Sequence, residues 1–414
     1  MIRILQSSDA AELFARKGMS LREAEAVVRP ILEDVRARAD AAVLEYARKF
    51  DACDRASLVV PEGELAEAAE QLSPAFREAV AAASANIRAF AQLQLPAAKT
   101  LDVAPGLRVS QIIRPLETVC GYVPGGRYPL PSTLMMTVIP AQVAGVPNIC
   151  ATTPKPTAEL LGTAALLGQT RVFLIGGAHA IAAFAFGTET IPRADRIVGP
   201  GNIYVSAAKK LLAGEVGIDF IAGPTEILII ANEGDPSWIA ADMLAQAEHD
   251  TDASAILLTT SRALADQVAA EIELQLATLP TAPTARQSID NNSAIVLVRS
   301  DDEAVEFSNR LAPEHLSIHD PSLLPHIRHA GSVFIGAGSP EAAGDYSSGP
   351  NHVLPTSGVA RLRGGLSAAD YVKVISTQEF SRAALRNLSP TIITLARAEG
   401  LEAHARSVEV RLHE

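Results

Sequence analysis

The 414-residue chain holds three cysteines, one tryptophan and only 4% aromatic residues. Cys53, Cys120 and Cys150 are too few and too scattered for a disulfide framework, and no CxxC spacing offers a thiolate metal site or a redox pair. Each is expected to fill a small space in a core, in a protein of the reducing cytoplasm. Cationic residues are also short. Lys and Arg number 35 against 47 Asp and Glu, a formal charge of -12, whereas nucleic-acid binding draws its affinity from cationic side chains that release counterions. No nucleic-acid partner is expected. A run of about eighteen apolar residues, the minimum for a membrane helix, is also lacking. The opening MIRILQSSDAAELFARKG meets charge too early for a secretory segment. The expectation is a soluble chain with no membrane partner and no export signal.

What the chain does have is hydrophobic substance, 48% of its residues, enough for at least two cores. Ser20-Leu-Arg-Glu23 is a capping-box pattern that opens a helix reaching to about Phe50, with a break expected at Pro30. Ser73-Pro74 opens another, and the first hundred residues read as mainly helical. From Leu107 short β-branched runs alternate with alanine-rich helical stretches, and a second alternating series begins at IDFIAGPTEILIIAN. Strand and helix in turn is the pattern of parallel sheets covered on both faces.

The fold class expected is therefore α/β: two Rossmann-like parallel-sheet domains, one inserted in the other, with a helical N-terminal part and a C-terminal arm. Glycine- and proline-rich joints place the boundaries. Residues 1–20 form an N-terminal segment, 21–117 with 227–360 the first α/β domain, 118–226 the inserted second, and 361–414 the arm. Past Gly358 the strand signal fades, and Ser389-Pro390 opens a last helix towards His404.

A dinucleotide fingerprint, GxGxxG after a strand, is not present. The nearest approach, Gly336-Ala-Gly338-Ser-Pro-Glu341, carries glutamate where the third glycine belongs. Other glycine turns, Pro124-Gly-Gly126, Gly176-Gly177 and Gly199-Pro-Gly201-Asn202, fall where strands end, which is where open α/β sheets bind ligands. Asp235-Pro236 caps a helix whose apolar face is Ile239, Ala240, Met243, Leu244 and Ala247. At about 100° per residue, Gln246 and His249 project together about 60° apart at the border of that face. Such a pair is either a solvated polar edge or half of a metal site completed by distant acids and imidazoles. Asp345 and His352 in a glycine-rich loop, and His404 near the C-terminus, are the available partners. Glu314-His315 offers two proton acceptors of different basicity at the start of a strand.

Taken together these stretches resemble the histidinol dehydrogenase family. The matching segments are Gly121-Tyr-Val-Pro-Gly-Gly126, Ile197-Val-Gly-Pro-Gly-Asn202, Ile218-Asp-Phe-Ile-Ala-Gly-Pro-Thr-Glu226, Gln246-Ala-Glu-His249, Ala312-Pro-Glu-His-Leu316, Gly344-Asp345-Tyr346 with Asn351-His352-Val-Leu-Pro355, and Gly400-Leu-Glu-Ala-His404. The resemblance implies a Zn2+ ion, one per subunit, held by Gln246, His249, Asp345 and His404, with His404 supplied across an interlocked homodimer that shares its active sites. It implies Glu314 and His315 as the catalytic pair. The small-molecule substrate L-histidinol would be surrounded by Thr225, Gln246, His249, His315, Asp345, His352, Glu399 and His404. NAD would be met by Tyr122, His179 and Asn202. One departure stands out: the family pattern Gly-Gly-Ala-Gln is Gly176-Gly-Ala-His179 here.

The reaction implied is a four-electron oxidation of alcohol through retained aldehyde to acid with two NAD, the last step of histidine biosynthesis. A related dehydrogenase of another small amino alcohol or diol is the near alternative, since one fold hosts many specificities. A zinc hydrolase with Glu314 activating water would leave Tyr122, Asn202 and the glycine turns without a purpose.

Overall fold

The computed structural model describes residues 1–14, 21–125 and 129–412. Ser20 of the capping box and Gly126 of the first glycine turn therefore lie outside the described residues. The chain opens with β1 (Arg3–Gln6), followed by the helices Leu21–Arg38, Asp40–Asp51, Glu62–Gln71 and Pro74–Gln94. Next come β2 (Lys99–Ala104), β3 (Leu107–Pro115) and β4 (Thr118–Tyr122). Helices then alternate with β5 (Asn148–Thr152), β6 (Val172–Phe173), β7 (Arg196–Val198) and β8 (Gly217–Ile218). A second alternating series holds β9 (Glu226–Ile230), β10 (Ser254–Thr259), β11 (Ala294–Leu297), β12 (His315–Ile318) and β13 (Ser332–Ile335). β14 (Val372–Phe380) and the helices Arg382–Ala398 and Glu402–Glu409 complete the order. No described helix is long and apolar enough to cross a membrane.

Two compact units result, one of Met1–Gln94 with Glu117–Tyr371, the other of Leu95–Leu116 with Val372–Glu414. The first unit contains both parallel sheets that the alternating texture predicts. Their orders are β1-β11-β10-β9-β12-β13 and β6-β5-β4-β7-β8. The winding is the same in both. From a central strand, β9 or β4, the chain moves outward to one side, then returns to lay the next strand, β12 or β7, on the other flank. Continuous apolar runs such as residues 227–230 of β9, all buried, suit sheets with helices on both faces.

The helices Leu21–Arg38 and Asp40–Asp51 share a core with the five-stranded sheet: Ala24, Val28, Val35 and Val43 cluster with Ile181, Phe184 and Val205. This corrects the expectation that residues 21–117 belong with the sheet of 227–360. Amphipathic periodicity gives a helix its buried face but does not name the surface it covers. β1, in the segment set aside as 1–20, edges the six-stranded sheet by pairing in parallel with β11. The helix at Pro30 does not break. It runs to Arg38 and ends at Ala39, whose φ is 47°. Pro30 and Ala26, the residue whose carbonyl loses its helical donor, are both exposed, so the lost bond falls on the side open to solvent.

The second unit corrects the C-terminal expectation. β14 pairs antiparallel with β3, and β3 with β2, so strand structure does not end at Gly358, and the arm is built jointly from 95–116 and the tail. The last long helix is capped at Ser381, whose Oγ accepts from Ala384 N at 3.2 Å. Pro390 sits inside that helix rather than at its entrance. Leu101, Val103, Val374, Ile375 and Leu395 of this unit are all exposed.

Candidate active site

β9 and β12 lie side by side with His315 opposite Ile227, so Thr225 and Glu314, each just before its strand, meet at the amino edge of the six-stranded sheet. The helix Pro236–Ala247 follows β9 and runs back antiparallel to it. Asp235 caps its start, Oδ1 accepting from Ser237 N at 2.8 Å, and its C-terminal end returns Gln246 and His249 to the same amino edge. Gln246 is completely buried rather than at the border of the apolar face. His249 lies past the helix end and is exposed.

A short polar chain links these residues. Gln246 Nε2 donates to Thr225 Oγ1 at 2.7 Å, and the Thr225 hydroxyl donates to Glu314 Oε2 at 2.5 Å. Glu226 N donates to the same carboxylate oxygen at 2.9 Å. With its nitrogen committed, Gln246 points a bare Oε1 that has no hydrogen-bond partner. His249 Nδ1 lies 2.9 Å from the Ala245 carbonyl, which fixes the proton there and leaves Nε2 with a lone pair. That Nε2 is 3.9 Å from Asp345 Oδ2, and the other Asp345 oxygen is 3.8 Å from His315 Nε2.

His315 is buried, with Nδ1 turned inward to the Glu226 carbonyl at 3.3 Å and Nε2 unpartnered. Burial pulls its pKa down to about 4, against the opposing pull of Asp345. The ring is therefore a neutral base with its free nitrogen facing Asp345. Burial pushes the Glu314 carboxyl up to about 8, despite the hydrogen bonds from Thr225 and Glu226 that favour its anion. Burial also lowers the pKa of His352. Its Nδ1 lies 2.8 Å from the Asp345 carbonyl and its Nε2 3.1 Å from Thr133 Oγ1.

The structure thus brings together Thr225, Gln246, His249, Glu314, His315, Asp345 and His352. Glu399 and His404, both exposed, belong to the second unit. The donor set suits a divalent cation: a free carboxamide oxygen, an imidazole whose proton is held on the far nitrogen, and a carboxylate. Among the described residues no group of three or more His, Cys, Asp or Glu is placed to hold a metal; the acid and imidazole here are two, with the carboxamide as third donor.

Glu341 escaped the sequence reading. It stood out only as the residue spoiling a glycine fingerprint, yet it is buried with Oε1 3.5 Å from His315 Nδ1 and Oε2 unpartnered. Burial, then the carboxylates of Asp345, Glu314 and Asp242, raise its pKa. A carboxylate just after a Ser-Pro turn was the only available signal.

The five-stranded sheet reverses its strand order between β4 and β7, a switch point at its carboxyl edge. Tyr122 ends β4, and burial pushes its phenol up to about 12. Gly199 passes so close over that strand end that a Cβ there would lie 2.2 Å from Tyr122 O, with φ at +109°; only glycine fits. Asn202 caps the next helix, Oδ1 accepting from Tyr204 N and Val205 N at 3.0 and 3.1 Å. The turn is clamped from below by a buried ion pair. Gly199 N donates to Asp219 Oδ2 at 2.7 Å, and Lys209 Nζ donates to Asp219 Oδ1 at 2.7 Å and to Gly199 O at 2.6 Å. His179, where the resemblance implies a cofactor contact, is buried and its Nε2 is 2.8 Å from Asp51 Oδ2.

The family model described as histidinol dehydrogenase matches residues 14–412. The chain belongs to the histidinol dehydrogenase family. A histidinol dehydrogenase of Geobacter sulfurreducens is 47% identical over 416 residues, covering 98% of this chain and 97% of the relative. One of Bacillus anthracis is 46% identical over 395 residues, covering 94% and 92%. The crystal structure of the histidinol dehydrogenase from Elizabethkingia anophelis superposes with a TM-score of 0.93 at 36% identity, covering all of this chain and 98% of that one. Histidinol dehydrogenases are oxidoreductases of histidine biosynthesis, and this chain shares their sequence and fold over nearly its whole length.

Proposed function

We propose that this chain oxidises L-histidinol to L-histidine in the cytoplasm, with one zinc ion per subunit, two NAD per turnover and a retained aldehyde between the two oxidations. The observation that supports it most is the free Gln246 Oε1 beside a His249 whose lone pair faces Asp345. Bound zinc would supply a cationic anchor for the substrate's nitrogens, and NAD the acceptor for each hydride. Gln246, His249 and Asp345 would hold the metal with His404 of the partner subunit, and Glu399 would face the substrate. The exposed apolar residues of the second unit suit the homodimer this requires.

His315 Nε2 takes the alcohol proton, because its Nδ1–H is held inward and its ring is neutral. Glu314 takes a proton from the water that attacks the aldehyde, and its raised pKa makes its anion a stronger acceptor than an ordinary carboxylate. Thr225 orients Glu314 and Gln246 at once. Tyr122 and Asn202 stand at the switch point where the dinucleotide would sit.

The test is stoichiometry. Purified protein given limiting histidinol and excess NAD should release two NADH per histidinol and form histidine. Release of one NADH with free aldehyde, or of none, overturns the reading.

A further inference from the structure

The helix Gly177–Phe186 starts just after β6, at the carboxyl edge of the five-stranded sheet. A free helix start there would be a ready phosphate site for a dinucleotide. Here the protein occupies it with its own groups. Asp51, the last residue of the helix Asp40–Asp51, reaches across so that Oδ2 accepts from Gly176 N at 2.9 Å. The same oxygen is 2.8 Å from His179 Nε2, and both side chains are almost wholly buried, 7% and 2% exposed. The Tyr122 hydroxyl accepts from the next backbone donor, Gly177 N, at 3.0 Å.

The arrangement leaves little freedom. Gly177 has φ at +58°, open to glycine at no cost, and a Cβ on Gly176 would lie 2.6 Å from Pro154 Cγ. Tyr46 and Phe50 of the Asp51 helix flank the His179 ring, with centroids 5.9 and 6.1 Å away. The Gly199 turn repeats the logic: a buried carboxylate, Asp219, binds a glycine N–H while a buried nitrogen group, Lys209, binds the carboxylate. Two turns at one sheet edge share one device, with histidine in place of lysine at the second.

We propose that Asp51 and His179 are positioning residues for the dinucleotide. Asp51 fills the helix start, and His179 holds Asp51, so the cofactor meets a preset Gly176–Gly177 turn and a fixed Tyr122. His179 acts from behind that turn without touching the cofactor. This rests on the NAD reading above.

The experiment compares the wild type, His179→Leu, His179→Gln and Asp51→Asn as full-length, zinc-loaded protein. It measures the NAD dissociation constant by calorimetry, KM for NAD, KM for histidinol, and Tm. His179→Leu should raise the dissociation constant and KM for NAD about 5- to 20-fold, with KM for histidinol within about two-fold, as expected for a lost charge-assisted hydrogen bond. His179→Gln, whose Nε2 can still reach Asp51, should return both NAD constants to within about three-fold of wild type. Should His179→Leu not fold, Asp51→Asn takes its place, with a rise of about 3- to 10-fold expected. Unchanged NAD constants in the folded variants overturn the proposal, as does tighter binding, which would mean that Asp51 competes with a phosphate. A wild type without saturable NAD binding removes the dinucleotide reading and this inference with it. A wild type that binds while the variants match it removes this inference alone.

Discussion

The two parallel sheets of the first unit are wound alike, yet they gather their buried polar side chains at opposite edges. In the five-stranded sheet the switch point between β4 and β7 lies at the carboxyl edge, where Asp51, Tyr122 and Asn202 take up N–H groups at the helix starts. In the six-stranded sheet the residues assembled between β9 and β12 stand at the amino edge, where the helix Pro236–Ala247 ends. A helix start favours anions and a helix end favours cations. On the proposed reading, the same topology would set a dinucleotide beside one sheet and a divalent cation beside the other.

That contrast can be broken by substitutions on either sheet. The largest effect is expected at the amino edge: His315→Asn should lower the turnover of histidinol by about 10²- to 10⁴-fold, the range for loss of a general base, in a steady-state assay. Activity within about ten-fold of wild type would move the chemistry away from β12. At the carboxyl edge the expected loss is of stability. Lys209→Met leaves Asp219 buried without its cation and should cost about 3–5 kcal/mol, read as a lower denaturant midpoint. A cost below about 1 kcal/mol would mean that the Gly199 turn does not depend on its clamp.

The smallest effect concerns Asp242, whose carboxyl burial pushes up to about 6 from 3.8. The folded protein holds that proton where the unfolded chain has lost it, so stability on this account is present at low pH and lost as pH rises through about 6. Asp242→Asn should therefore stabilise above pH 6 by on the order of 1 kcal/mol, allowing for solvent screening, and have no such effect below about pH 4. Equal effects at both pH values in thermal melts would dismiss the burial argument.

Local signals were the readable part of this sequence. Asp235 and Ser73 cap the helices that their Asp-Pro and Ser-Pro patterns predict, and the β-branched runs became parallel strands because a strand buried on both faces must be apolar throughout. β14 was missed because eight of its nine residues are exposed, so no buried face imposed a pattern on VKVISTQEF. The partner surface of the N-terminal helices was missed for the complementary reason: Val28 and Val35 show that something is covered, not what. In the site, Gln246 and His249 were legible by helical spacing, but the full burial of Gln246 depends on distant segments. Glu341 was invisible because its role comes from lying against His315, 26 positions earlier.

β1 pairs with β11, roughly 290 residues further along the chain. At a synthesis rate of about 5–20 residues per second, Arg3–Gln6 waits some 15 to 60 s for the strand beside which it belongs. During that interval the helices just after it can already settle on the five-stranded sheet, and β1 joins the six-stranded sheet only once β11 has been made. Truncating those first few residues would spare early assembly and open an unprotected strand edge on β11, a template for aggregation in newly made chains.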